Sequence, residues 1–275
     1  MEGQIIKIIS NLYSVKVNNQ VYECRARGKF RNDKITPVVG DKCIIDCENS
    51  YIVDILPRKN SLERPLIANV DTAVIVTSVK KPDLSLNLLD KMISIITINN
   101  IEPVICFTKI DLLNKKELKD IKNLMKYYNS IGIKTVTNQK VNKLCRMLKK
   151  KIVVFTGQTG AGKSSLLNKI DKNLNLKTAE ISESLGRGKH TTRHVELFEI
   201  KKMYIADTPG FSSLDFYGID KEKVKLSFIE FRNHNCKFKD CSHINEKECD
   251  IKNKVDNGMI LKSRYDNYIN FVNKL

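Results

Sequence analysis

Between an apolar run, Ile152–Phe155, and a stretch with Leu166, Leu167 and Ile170 at helical spacing, the chain carries Gly157-Gln158-Thr159-Gly160-Ala161-Gly162-Lys163-Ser164. This predicts a strand, a glycine-rich phosphate loop and a helix. The feature constrains the fold strongly, because such a loop works at the carboxyl end of a strand in a parallel sheet. Glycines let backbone N–H groups curl around phosphate oxygens. Lys163 reaches the β- and γ-phosphates, the Ser164 hydroxyl suits Mg²⁺, and the helix N-terminus adds partial positive charge. Ser165 completes the set expected to hold nucleotide.

Two further motifs flank this loop in an unusual order. Thr108-Lys109-Ile110-Asp111 precedes it, at the end of the apolar run Pro103–Phe107, and Asp207-Thr208-Pro209-Gly210 follows it, after Met203–Ala206. In an ordinary small GTPase the phosphate loop leads and the base-reading motif trails. Here the chain reads as a nucleotide-binding domain cut and rejoined. The Asp111 carboxylate is expected to accept the guanine N1–H and amine; adenine lacks that donor pair and would leave the carboxylate unsatisfied. Thr108 stands where Asn is more usual, and Lys109 is expected to lie along the nucleotide. The segment Val136-Thr137-Asn138 is a candidate second base-contacting loop.

Asp207 is placed to hold Mg²⁺ and the Gly210 N–H to meet the γ-phosphate. The basic stretch Gly186-Arg187-Gly188-Lys189-His190-Thr191-Thr192-Arg193 lies between the phosphate loop and Asp207. A threonine from this interval would ligate Mg²⁺, Thr192 in preference to Thr191. His190 reads either as an exposed polar side chain or as a group that orients the attacking water. The candidate catalytic residues are therefore Lys163, His190 and Thr192, and the Mg²⁺ ligands Ser164, Thr192 and Asp207.

Around these motifs the patterning changes twice. Residues 1–65 carry five short alternating runs, Gln4–Ile9, Tyr13–Val17, Val21–Arg27, Lys42–Asp46 and Tyr51–Leu56. They predict a small barrel, of OB or SH3-like type. The basic loop from Arg25 to Lys34 surrounds Phe30, which reads as a grip for nucleic acid or as a solvated loop. Residues 66–222 alternate apolar runs with helical stretches at Leu86–Thr97, Lys115–Ile131, Val141–Lys149 and Lys163–Ile170, which predicts a parallel sheet covered on both faces. Residues 223–275 hold Cys236-x4-Cys241-x-His243-x5-Cys249 and a final helical stretch, roughly Asp256–Lys274. Three thiolates and one imidazole suit tetrahedral zinc with no open position, a structural site.

The net charge is +17, from 48 Lys and Arg against 31 Asp and Glu. An excess of this size favours polyanionic partners, nucleic acid above all, although a lysine-rich compositional bias accounts for part of it. No run approaches the roughly 18 apolar residues of a membrane span, and the N-terminus lacks the pattern of a signal peptide. A cytoplasmic protein is expected. Two other readings compete: an RNA-binding factor whose nucleotide site no longer turns over, opposed by Lys163, Ser164 and Asp207, and a P-loop ATPase, opposed by Asp111.

Taken together the chain resembles the RsgA (YjeQ/YloQ) family. The resemblance rests on residues 108–112, 157–168, 186–193 and 207–211 and on the Cys3His set, in that joint order. It implies an N-terminal OB-fold, a central circularly permuted GTPase domain and a mostly helical C-terminal zinc-binding domain. It also implies GTP/GDP with Mg²⁺, one structural Zn²⁺, a monomer, and a late role on the 30S ribosomal subunit and its 16S rRNA. Slow hydrolysis would be accelerated by that subunit. Phe211 follows Gly210 where a water-orienting Gln stands in Ras-like enzymes, so His190 is expected to take that role when the ribosome orders its loop. Loss of the γ-phosphate is expected to shift the zinc module through residues 211–217.

Overall fold

The computed structural model describes residues 1–28, 30, 35–63, 66–174, 196–206, 216 and 218–275. The alternating N-terminal runs form β1 (Glu2–Ile9), β2 (Leu12–Val17), β3 (Gln20–Ala26), β4 (Lys42–Asp46) and β5 (Tyr51–Ile55). They close into a barrel of order β1-β2-β3-β5-β4, with β3 and β5 parallel and the other pairs antiparallel. That order is the OB arrangement, which decides between the two barrel types. Alternate side chains point inward, so Ile5, Val15, Cys24, Cys43 and Ile52 fill the interior. Phe30 packs into the same core at 3% exposure, so its ring is not free to stack on a base. Arg25 and Arg27 of that loop are exposed; Lys29, Arg31 and Lys34 lie outside the described residues.

A short hairpin, β6 (Ser61–Glu63) and β7 (Leu66–Ala68), leads into the central domain. There the order is β8 (Thr72–Ser78), α1 (Leu86–Ile98), β9 (Glu102–Thr108), α2 (Lys115–Ser130), β10 (Lys134–Thr137), α3 (Val141–Leu148), β11 (Ile152–Thr156), α4 (Lys163–Ile170), β12 (Leu197–Ile200) and β13 (Met203–Ala206). The sheet runs β10-β9-β8-β11-β13-β12; only β12, at the edge, is antiparallel to its neighbour. The central strands β8, β9 and β11 are apolar along their middle residues because both faces are covered. On one face Leu89, Ile93 and Ile96 of α1 and Tyr128 of α2 meet Ile75, Ile105 and Phe107. On the other, Leu144 and Leu148 of α3 and Leu166, Leu167 and Ile170 of α4 meet Val74, Val76, Cys106 and Val153. Asn114 starts α2 with a full capping box to Glu117. The barrel docks on the sheet edge, where Lys7 of β1 bridges Glu196 and Lys16 pairs with Glu199 of β12.

The last segment forms α5 (Lys221–Ser227), α6 (Asp250–Asp256) and α7 (Lys262–Asn273). The helix expected over roughly 256–274 is α7, which starts at Lys262, and α6 is a separate helix that precedes it. Asn257 ends α6 and Gly258 adopts φ 71°, the left-handed stop that glycine tolerates best. Phe216, Val224, Phe228, Phe231, Tyr268 and Phe271 form a core that also takes in Ile95 of α1. Beneath it Arg264 is 1% exposed and donates to Asp90 Oδ1 at 2.8 Å and to both Glu230 oxygens at 2.6 and 2.9 Å. Asp90 also accepts from the Tyr128 hydroxyl and from Asn267. A buried charge set as fully paired as this locks α1, α2 and α7 into one register. No described helix is long and apolar enough to cross a membrane.

Candidate nucleotide and metal sites

The inverted motif order in sequence becomes an ordinary arrangement in space. β8 sits between β9 and β11, with Ser78 opposite Thr108 and Ile75 opposite Thr156. Because these strands are parallel, the ends that carry the phosphate loop and the base-reading motif share one edge of the sheet. β13, which leads to Asp207, runs parallel beside β11. Asp207, Thr208, Pro209, Gly210 and Phe211 lie outside the described residues, as do His190, Thr191 and Thr192.

The phosphate loop uses its glycines for distinct reasons. Gly157 turns at φ 147°, and a Cβ there would stand 2.0 Å from the Val76 carbonyl oxygen of β8, so no other residue fits. Gly162 takes φ 93° at the start of α4 and faces Thr108. Gln158, Thr159, Gly160 and Ser165 are exposed, whereas Ala161 anchors the loop in the core at 1% exposure. Ser164 is buried at the first turn of α4, and Lys163 Nζ folds over the loop to donate to the Gly157 carbonyl at 2.9 Å. Burial holds the Lys163 ammonium below its ordinary pKa. A phosphate would relieve that cost by supplying opposite charge.

Thr108, 2% exposed, donates from Oγ1 to the Ala161 carbonyl at 2.5 Å, with the Thr77 carbonyl 3.3 Å away. It ties the base-reading strand to the phosphate loop and does not point at a base. Lys109 takes the left-handed conformation, φ 58°, and its Nζ donates to the Lys81 carbonyl. Asp111 is exposed on the single 3-10 turn Ile110–Leu112. In the loop after β10, the Asn138 backbone N–H donates to the Phe107 carbonyl at 2.9 Å, while the buried Asn138 Oδ1 has no hydrogen-bond partner among the described residues. A buried acceptor is costly to leave unpaired, so Oδ1 is available to a donor.

Cys236, Cys241, His243 and Cys249 converge, with one ligand atom from each lying within 4.8 Å of the others. His243 Nδ1 faces Cys236 Sγ at 3.6 Å and Cys249 Sγ at 3.4 Å. The four residues sit on loops that have no regular structure of their own, so their positions are held from outside. Glu246 accepts from the Ser242 N–H at 2.7 Å and from Ser242 Oγ, which holds the turn between Cys241 and His243. Tyr265 and Tyr268 of α7 donate to the His243 and Ser242 carbonyls, both at 2.6 Å, and Lys225 of α5 donates to the Cys241 carbonyl. The three contacts from the helices escape sequence spacing, because each joins residues 16 to 26 positions apart. Burial pushes the Cys241 thiol up to about 12 and the His243 imidazole down to about 4. The site therefore favours uncharged donors until a cation displaces the thiol protons, as a structural metal does.

The matches to known proteins agree with this geometry. The RsgA GTPase family model covers residues 55–217, and the RsgA N-terminal domain model covers residues 2–52. The small ribosomal subunit biogenesis GTPase RsgA of Enterococcus faecalis is 44% identical over 280 residues, 99% of this chain and 94% of that protein. RsgA 2 of Oceanobacillus iheyensis is 46% identical over 284 residues, 100% of this chain and 97% of that protein. Among solved structures, YloQ, a circularly permuted GTPase, aligns with a TM-score of 0.85 at 36% identity over 99% of this chain and 94% of its own. YjeQ from Thermotoga maritima aligns with a TM-score of 0.86 at 33% identity over 100% of this chain and 98% of its own. With its barrel, its reordered nucleotide site and its Cys3His cluster, the chain belongs to the RsgA family of circularly permuted GTPases.

Proposed function

We propose that the protein binds the 30S ribosomal subunit, assists its late maturation, and hydrolyses GTP to GDP and phosphate with stimulation by that subunit. The observation that carries this reading is full-length similarity to proteins named small ribosomal subunit biogenesis GTPase. The protein acts as a cytoplasmic monomer on 16S rRNA, through modules at 1–65 (OB-fold), 66–222 (GTPase) and 223–275 (zinc).

In this reading Asp111 selects guanine, with Thr108, Lys109 and Asn138 shaping the base pocket. The backbone N–H groups of 157–164, together with Ser165 and Gly210, take the phosphates. Lys163 neutralises charge on the β- and γ-phosphates as the bond to the leaving group breaks. Ser164, Thr192 and Asp207 would hold Mg²⁺, which would supply charge withdrawal from the phosphate oxygens. His190 orients the attacking water, because the apolar Phe211 cannot. Cys236, Cys241, His243 and Cys249 hold one structural Zn²⁺ that staples the C-terminal module.

Co-sedimentation with 30S and 50S subunits, in the GTP-analogue and GDP states, tests the partner. Pelleting with 30S alone, weaker with GDP, is expected; equal pelleting with 50S contradicts the reading. His190→Ala should lose subunit-stimulated turnover and keep GTP affinity. Normal stimulated turnover in that variant would remove His190 from the chemistry.

A further inference from the structure

We propose that α3 and the β12–β13 turn form a phosphate-reading surface for duplex RNA, on the flank of the sheet, running from the loop after β10 to the β12–β13 turn. Residues 121–170 contain no Asp or Glu, although the chain holds 31 acids in 275 residues. A general lysine bias adds cations but does not remove acids from a single stretch. Within this stretch Leu144 and Leu148 turn the apolar face of α3 into the core. Lys140, Lys143, Arg146, Lys149 and Lys150 are all exposed, and none has an ion pair with a described residue. By contrast Lys134 and Lys151, from the same stretch, are both neutralised by Glu102.

The neighbouring turn extends the patch. The Lys150 N–H donates to the Lys202 carbonyl at 2.6 Å, which places Lys201 and Lys202 beside the end of α3. Lys201 and Lys202 are the two-residue loop of a hairpin in which Ile200 pairs with Met203, and they take φ 49° and 64°. A loop with both residues at positive φ strongly prefers Asn-Gly. Lys150 is also left-handed, at φ 61°. Three lysines thus stand in left-handed backbone positions, where glycine or asparagine is the easier choice. Lysine at all three positions adds charge to the patch where a smaller residue would be easier.

The chemistry selects an RNA duplex. With its leucines buried, α3 keeps no apolar face to enter a lipid interface. Side chains of Lys and Arg over a convex helix suit the phosphates bordering the wide minor groove of A-form RNA, which is read by shape and backbone. The surface deepens the ribosomal reading but does not need it.

Two variants test the proposal against a blunt RNA duplex of about 16 bp, the span of one duplex-binding module. K201N/K202G removes two charges and relieves the turn, so it should melt no lower than the wild type. K143Q/R146Q removes two more from the helix. Each pair should weaken duplex binding about tenfold or more and lower the slope of log affinity against log salt by about 2, with basal GTP hydrolysis unchanged. Unchanged affinity and slope in both variants would overturn the proposal, as would wild-type protein that binds anionic vesicles and not the duplex. A wild type that binds the duplex but not 30S would instead remove the ribosomal reading and leave this surface standing.

Discussion

Thr108 Oγ1 donates to the carbonyl of Ala161 at 2.5 Å, joining the end of β9 to the phosphate loop across 53 residues of chain. This one bond couples the two halves of a nucleotide site whose motifs run in inverted order. It also explains why Thr serves where Asn is more usual. The requirement is a short donor that reaches the loop carbonyl, and a hydroxyl meets it.

Thr108→Val keeps the shape and removes that donor. It should weaken GDP binding by about 1 kcal/mol, roughly fivefold, with the fold intact. Thr108→Asn should bind near the wild-type level. Titration calorimetry on both variants checks this; equal affinity for Val and wild type would show that the bond is incidental.

The phosphate loop and the Cys3His set are legible in the sequence because each is local, with its ligands a few residues apart. The parallel sheet is legible too, from the apolar runs at 103–108 and 152–156. The Arg264 network is not. Arg264 and Asp90 lie 174 positions apart, and each alone reads as a surface charge. β12 is hidden for a different reason: it is a four-residue edge strand with Phe198 and Glu199 partly or fully exposed, so it lacks the apolar run of its neighbours. Phe30 looks available among basic residues, and only closure of the barrel shows that it is core.

Arg264→Met should cost about 3–5 kcal/mol, because Asp90 and Glu230 remain buried without a cation. Replacing all three with apolar residues should recover most of that loss. Urea denaturation distinguishes the two. The network also bears on the expected shift of the zinc module after γ-phosphate loss. Such a shift would have to carry α1 along or break Arg264 from Asp90.

Glu102 joins Lys134, the first residue of β10, and Lys151, just before β11, at the amino edge of the sheet. Burial pushes its carboxyl up, but the hydrogen bonds from Lys134 and Lys151 outweigh this, and the net pKa falls below 4.5. A carboxylate depressed in the folded state stabilises above its unfolded pKa. Its contribution is lost as the pH falls through the folded value. Glu102→Gln should therefore unfold at lower urea than wild type at neutral pH, and the gap should narrow as pH falls below 4.5. A gap that stays constant with pH would rule out the ion pairs as its source.

Cys241→Ser should reduce bound zinc from about one per chain to near zero, since a structural site uses all four ligands. Treatment of the wild type with a strong chelator should lower the melting point in the same way. GDP affinity should persist in both cases, because the phosphate loop rests on a separate core. Elemental analysis with calorimetry checks it; full zinc content in the variant would exclude Cys241 as a ligand.

The most direct test of the account is GTP turnover measured with and without purified 30S subunits, using ATP and 50S subunits as controls. Strong stimulation by 30S alone, with GTP alone, is the predicted result. Turnover that is unstimulated, or driven equally by 50S, would contradict the ribosomal role and leave only a permuted nucleotide hydrolase.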